Sequence, residues 1–110
     1  MNIDELVNLI PEEDLRSNLS HWVNEWKKDD TDIHRLYELI AQWHGNVWFQ
    51  DQKSQAEFWS NLQGFKRNAI DSLGGMTVNE RLYWFGLFEE WDSSNKKGQQ
   101  RIREKLHAPA

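Results

Sequence analysis

Pro11-Glu12-Glu13-Asp14-Leu15-Arg16-Ser17-Asn18-Leu19-Ser20-His21-Trp22-Val23-Asn24-Glu25-Trp26-Lys27-Lys28 is the stretch that decides the fold class. Leu15, Leu19, Trp22, Val23 and Trp26 recur at i, i+4, i+7, i+8 and i+11. That spacing lines one side of an α-helix and fits no strand. Pro11 suits the first helical position, because the N–H it lacks would have had no partner there. Glu12, Glu13 and Asp14 suit the positive end of the helix, and Lys27 and Lys28 the negative end. Trp22 and Trp26 share the stripe with Leu15 and Leu19, so both read as core.

The same period extends in both directions. Upstream, Ile3, Leu6, Val7 and Ile10 mark a short helix. Downstream, Asp29-Asp30-Thr31-Asp32 reads as a turn and helix cap. Its alternating oxygens resemble a calcium loop, but the central Gly and the distal Glu are missing. Ile33, Leu36, Tyr37, Ile40 and Trp43 predict a third helix that stops at Gly45-Asn46. Val47-Trp48-Phe49 is β-prone but too short to build a sheet, and reads as a connection. A long helix is expected from about Asp51 to Leu73, with Phe58, Leu62, Phe65, Ala69 and Leu73 in its stripe, Trp59 and Ile70 beside it, and Gly74-Gly75 as its end. Thr77 and Glu80 have the spacing of a capping box. The helix they open, Val78 to Trp91, is apolar nearly all round. Such a helix sits in the middle of a bundle or keeps a second face for a partner. Trp84 and Trp91 read as core. Lys96-Lys97-Gly98 reads as a turn, followed by a short basic helix with Ile102 and Leu106 and a tail that frays at Pro109. The expected architecture is one all-α domain over residues 1–110, a compact bundle of five or six helices without a sheet.

Composition narrows the kind of work such a domain can do. There is no Cys, which excludes disulfides and thiolate metal sites and fits a reducing compartment. Met1-Asn2-Ile3-Asp4-Glu5 lacks the basic start and apolar run of a signal peptide. No stretch approaches the roughly 18 consecutive apolar residues of a membrane span, so a cytoplasmic location is expected. The net charge of -5 argues against nucleic acid as a partner. The charge is uneven: residues 1–45 hold ten Asp/Glu against four Lys/Arg, whereas residues 93–110 hold one against five.

No catalytic constellation is present: there is no His-Glu-x-x-His, no Gly-rich phosphate loop and no Gly-x-Ser-x-Gly. His34 with Glu38, and His21 with Glu25, share helix faces at i, i+4 and read as ordinary surface pairs rather than metal ligands. Adjacent Glu89 and Glu90 point about 100° apart on a helix and cannot share a substrate. No catalytic residue, metal or cofactor is therefore expected. The seven Trp are the unusual feature. Trp43 and Trp59 lie at stripe edges and fit core or interface. Trp48, in a connection, is the best candidate for an exposed anchor.

Met76-Thr77-Val78-Asn79-Glu80-Arg81-Leu82-Tyr83-Trp84-Phe85-Gly86-Leu87-Phe88-Glu89-Glu90-Trp91-Asp92 is similar to the C-terminal part of many small bacterial helical proteins. Among these are immunity proteins encoded beside polymorphic or contact-dependent growth-inhibition toxins. The resemblance covers residues 76–107 and rests on the capping box and the apolar helix. It implies a non-enzymatic inhibitor that occludes a toxin's active site, such as that of a nuclease. The charge agrees, since an acidic helical surface associates fast with a basic groove. An acidic adaptor or a nucleic-acid-mimicking regulator would share these properties. The expected partner is a basic toxin domain, with no nucleic acid and no membrane. Its expected contacts are Glu12, Glu13, Asp14, Asp29, Asp30, Asp32 and Trp48.

Overall fold

Helix caps set most of the architecture in the computed structural model, which describes residues 1–108. Seven α-helices follow one another: α1 (Ile3–Asn8), α2 (Glu13–Lys28), α3 (Ile33–Asn46), α4 (Gln52–Phe65), α5 (Val78–Trp84), α6 (Phe88–Ser93) and α7 (Lys96–Lys105). No strand occurs among the described residues. Asn2, Asp32, Asp51, Thr77 and Asn95 each place a side-chain oxygen on the unpaired N–H groups of the helix that follows. The reciprocal box of Thr77 and Glu80 is present, with bonds of 3.1 and 3.2 Å. A second box, Asn2 with Glu5, opens α1 with two bonds of 2.9 Å.

Three helix boundaries differ from the sequence reading. Pro11 is not the first residue of α2. The chain leaves α1 through a turn at Leu9 and Ile10, runs extended at Glu12, and becomes helical at Glu13. The expected stop of α3 at Gly45-Asn46 is where the helix ends, and Val47 turns extended. The long fourth helix widens into one π turn, Lys66–Ile70, closed by the Asp71 N–H on the Lys66 carbonyl at 2.9 Å, and a 3₁₀ turn, Leu73–Gly75, follows. Ala69 and Ile70 are both buried in this wider turn. Lys96-Lys97-Gly98 is the first turn of α7, capped by Asn95 on the Gly98 N–H at 2.9 Å. Pro109 lies outside the described residues.

The apolar run from Val78 to Trp91 is two helices rather than one. Gly86 takes φ +63°, the left-handed region. Leu87 N–H bonds to the Leu82 carbonyl at 2.9 Å and Gly86 N–H to the Tyr83 carbonyl at 3.3 Å. This is a Schellman stop, completed by apolar Leu82 and Leu87, both buried. The break explains the all-round apolarity. One straight helix would leave a side of that run in water, whereas the turn sends Phe85 and Leu87 fully inward. Gly86 is also required by crowding. A Cβ there would strike the Asp4 carboxylate and come within 3.0 Å of Lys27 Nζ, the two members of a 2.8 Å ion pair.

Twenty-three buried apolar side chains form one core, with Trp26 and Phe85 its largest fully enclosed members. Trp26 meets Phe85 at 6.1 Å between ring centroids, and Phe65 meets Phe85 at 5.6 Å. The indole N–H of Trp26 is satisfied by the Asp32 carbonyl at 2.8 Å. Trp43 is also core, with its N–H on Asn18 Oδ1 at 2.8 Å. Trp22 is not core: at the margin of the stripe, it is 46% exposed, while Leu19, Val23 and Trp26 take the interior. Trp84 and Trp91 are half-buried at the core's edge rather than inside it.

Two substitutions test this description. Phe85→Ala should cost on the order of 3–5 kcal/mol in urea unfolding, as for other aromatic truncations in closed cores. Gly86→Ala should cost about 1–2 kcal/mol from the left-handed backbone alone. It should cost more in total because the Asp4–Lys27 pair must also move. In an Asp4→Ala background the clash component should vanish and the backbone component remain. An unfolding midpoint unchanged by Gly86→Ala would mean that the α5–α6 turn has another cause.

Candidate partner-binding surface

The connection between α3 and α4 alternates in exposure, as an extended segment must. Val47 is half-buried, Trp48 is 85% exposed and Phe49 is buried. Phe49 enters an aromatic cluster, 6.2 Å from Trp43 and 5.9 Å from Phe58. His44 stacks on Phe58 at 5.7 Å and sits 5.1 Å from Trp59, which is itself 40% exposed. The backbone on either side of Trp48 is tied down. Val47 O accepts from Gln55 Nε2 at 3.3 Å, and Gln50 N–H donates to Glu12 Oε1 at 2.6 Å. One residue further on, Asp51 caps α4. Hydrogen bonds from the Ser54 hydroxyl and the Lys53 N–H hold its carboxyl below the ordinary aspartate range. Trp48 is therefore an exposed indole on a fixed corner.

The expected contact residues separate into two groups. The Glu12–Gln50 bond brings the start of α2 against the Trp48 connection, so Glu12, Glu13 and Asp14 lie on its side of the molecule, with Glu13 and Asp14 exposed. Asp29, Asp30 and Asp32 lie beyond the other end of α2, a 16-residue helix about 24 Å long. Their carboxylates are engaged by α7 and the residues after it. Asp29 pairs with Lys105 at 2.9 Å, Asp30 with Arg101, and Asp32 with His107 at 2.9 Å. Three of the ten carboxylates in residues 1–45 are thus answered by α7 and the segment after it. Glu12, Glu13, Asp14 and Trp48 can meet one partner together; the Asp29–Asp32 loop forms a separate face.

Sequence reading missed the two cations that organise this second face. Lys105 and Arg81 are both buried. Each stands on an apolar stripe, Lys105 between Ile102 and Leu106, and Arg81 between Val78 and Phe85. A basic residue at a stripe position signals that carbonyls or a carboxylate await it inside. Burial lowers the pKa of Lys105 against the opposing pull of Asp29. Burial would likewise raise the carboxyls of Asp29 and Asp32. Hydrogen bonds from Thr31 and Lys105 to Asp29, and from His107 and the Arg35 N–H to Asp32, outweigh it and hold both below the ordinary range.

No family profile, curated protein or solved structure matches this chain. No helix among the described residues is long and apolar enough to cross a membrane.

A carboxyl whose pKa falls on folding stabilises the protein fully above its unfolded value, near 4, and loses that contribution as pH drops through the lower folded value. Asp29→Asn should therefore be clearly less stable than the parent at pH 7, and the gap should close as the pH falls below about 4. Urea midpoints at neutral and acid pH measure this. An equal gap at both would show that the Asp29 charge is not its source.

Proposed function

We propose that this chain is a non-enzymatic, protein-binding inhibitor acting in the cytoplasm, an immunity protein that neutralises a bacterial toxin by covering its active site. The exposure of Trp48 on a fixed backbone is the observation that carries this reading. Interface energy concentrates in aromatic anchors held ready before binding, since little ordering entropy is then lost. Glu12, Glu13 and Asp14 supply an acidic rim suited to a basic partner, such as the substrate groove of a nuclease toxin.

This reading expects a toxic domain encoded beside this chain, and the test uses that domain. Co-expression should restore growth, and surface-immobilised toxin should capture the purified protein. Neutralising Glu12, Glu13 and Asp14 together should slow association and reduce its salt dependence. Trp48→Ala should mainly speed dissociation, with a cost of about 2 kcal/mol or more in affinity. Capture without inhibition would favour an adaptor. No capture, or capture indifferent to both changes, would defeat the proposed surface.

A further inference from the structure

We propose that Asp32, His34 and His107 form a site for one divalent transition-metal ion of the zinc class, independent of the Trp48 surface. One ligand atom from each of the three residues lies within 4.8 Å of the other two. Asp32 is fixed by its role as the α3 cap: Oδ1 accepts from the His34 and Arg35 N–H groups at 3.1 and 3.2 Å. Its second oxygen, Oδ2, is turned to His107 Nε2 at 2.9 Å. Donors about 2.1 Å from a common ion lie about 3.0–3.4 Å apart, so this pair already has nearly the right bite. The His34 and His107 rings face each other edge to face, 5.3 Å between centroids.

The position of His107 is itself unusual. It is the only described residue other than glycine with positive φ, at 55°. Its carbonyl is held by Arg81 Nη1 at 2.6 Å and its N–H by the Glu104 carbonyl at 3.1 Å. The chain end is thus bent back to put an imidazole over the α3 cap. The cations around the site are occupied elsewhere: Arg35 with Glu38, Arg101 with Asp30, and Lys105 with Asp29. Both imidazoles are exposed, which leaves the ion's remaining positions to water. Two imidazoles and a carboxylate suit zinc, cobalt, nickel or copper rather than magnesium or calcium, which prefer oxygen alone. The bound ion ties the end of α7 to the start of α3.

The apo protein would be titrated with Zn²⁺ by calorimetry in two buffers of different ionisation enthalpy, and with Co²⁺ by visible absorption. One ion per chain and a melting temperature that rises with Zn²⁺ are expected. Losing an outer-shell partner already costs about 10–100-fold in affinity, so His34→Ala and His107→Ala should each cost at least that. His21→Ala and His44→Ala should change nothing. His34→Ala leaves the His107–Asp32 and His107–Arg81 contacts in place, so it remains a fair test if His107→Ala loosens the segment after α7. Absent binding at millimolar Zn²⁺, binding that survives His34→Ala, or one ion shared by two chains would each overturn the site.

Discussion

The Lys105 ammonium sits under the α2–α3 turn, and the way it is satisfied decides how α7 meets that turn. It donates to the Asp29 and Thr31 carbonyls at 2.8 and 2.7 Å and to Asp29 Oδ1 at 2.9 Å, three acceptors for three N–H bonds. Its charge also lies 4.2 Å from the centre of the Trp26 ring. A buried ammonium is tolerable only when every proton has a partner, and an aromatic face adds attraction where water is excluded. This arrangement needs the turn at Asp29–Thr31, the indole of Trp26 and the register of α7 all at once. It therefore couples α2, α3 and α7 more specifically than apolar contact would.

Arg81 does for the other side of α7 what Lys105 does for this one. Its guanidinium reaches four backbone carbonyls: Leu73 at 3.0 Å, Met76 at 3.2 Å, Leu106 at 3.0 Å and His107 at 2.6 Å. Two of these belong to the 3₁₀ turn and its exit, and two to the end of α7, where carbonyls lack intrahelical partners. One planar fork thus closes two chain segments together. A lysine, with a point charge and three donors, could not cover the same set. The consequence reaches His107, whose backbone is positioned by Arg81 and whose ring falls beside Asp32.

The sequence reading was most secure where local periodicity and burial agree. The stripe Leu19, Val23 and Trp26, the caps at Asp32 and Thr77, and the all-helical class follow from spacing alone. The reading failed where tertiary geometry chooses between local options. Gly86 was visible as a small residue in an apolar run, but only the Asp4–Lys27 pair against it, and the Leu82–Leu87 closure, make it a stop. Trp22 occupies the margin of the stripe and stays exposed, while Leu19, Val23 and Trp26 take the interior. Among the candidate contact residues, Trp48 was legible because an aromatic in a short connection has few places to go. The pairing of Asp29, Asp30 and Asp32 with α7 was not legible. It joins residues more than seventy positions apart, and charge counts carry no information about which opposite charges will meet.

These pairings leave the protein with two ends of different character, separated by the length of α2. At one end, mobile charges have been converted into structure. The carboxylates after α2 hold α7 and His107, whose imidazole completes the Asp32–His34–His107 group. At the other end, Glu12 spends its carboxylate on the Gln50 backbone and so stiffens the neighbouring segment. Phe49 and Asp51 fix the same segment from inside and from the α4 cap. Trp48 is the side chain left over from this bracing. The hydrogen bonds that fix its backbone exist in the free protein, so contact with a partner need order only the indole's two torsions. An exposed aromatic on a loose loop would lose far more entropy on binding. That difference separates Trp48 from Trp22, which is also exposed but stands on the outer face of a helix beside His21. A flat helix surface offers an aromatic without a projecting corner, whereas the α3–α4 connection presents one that can enter a cleft.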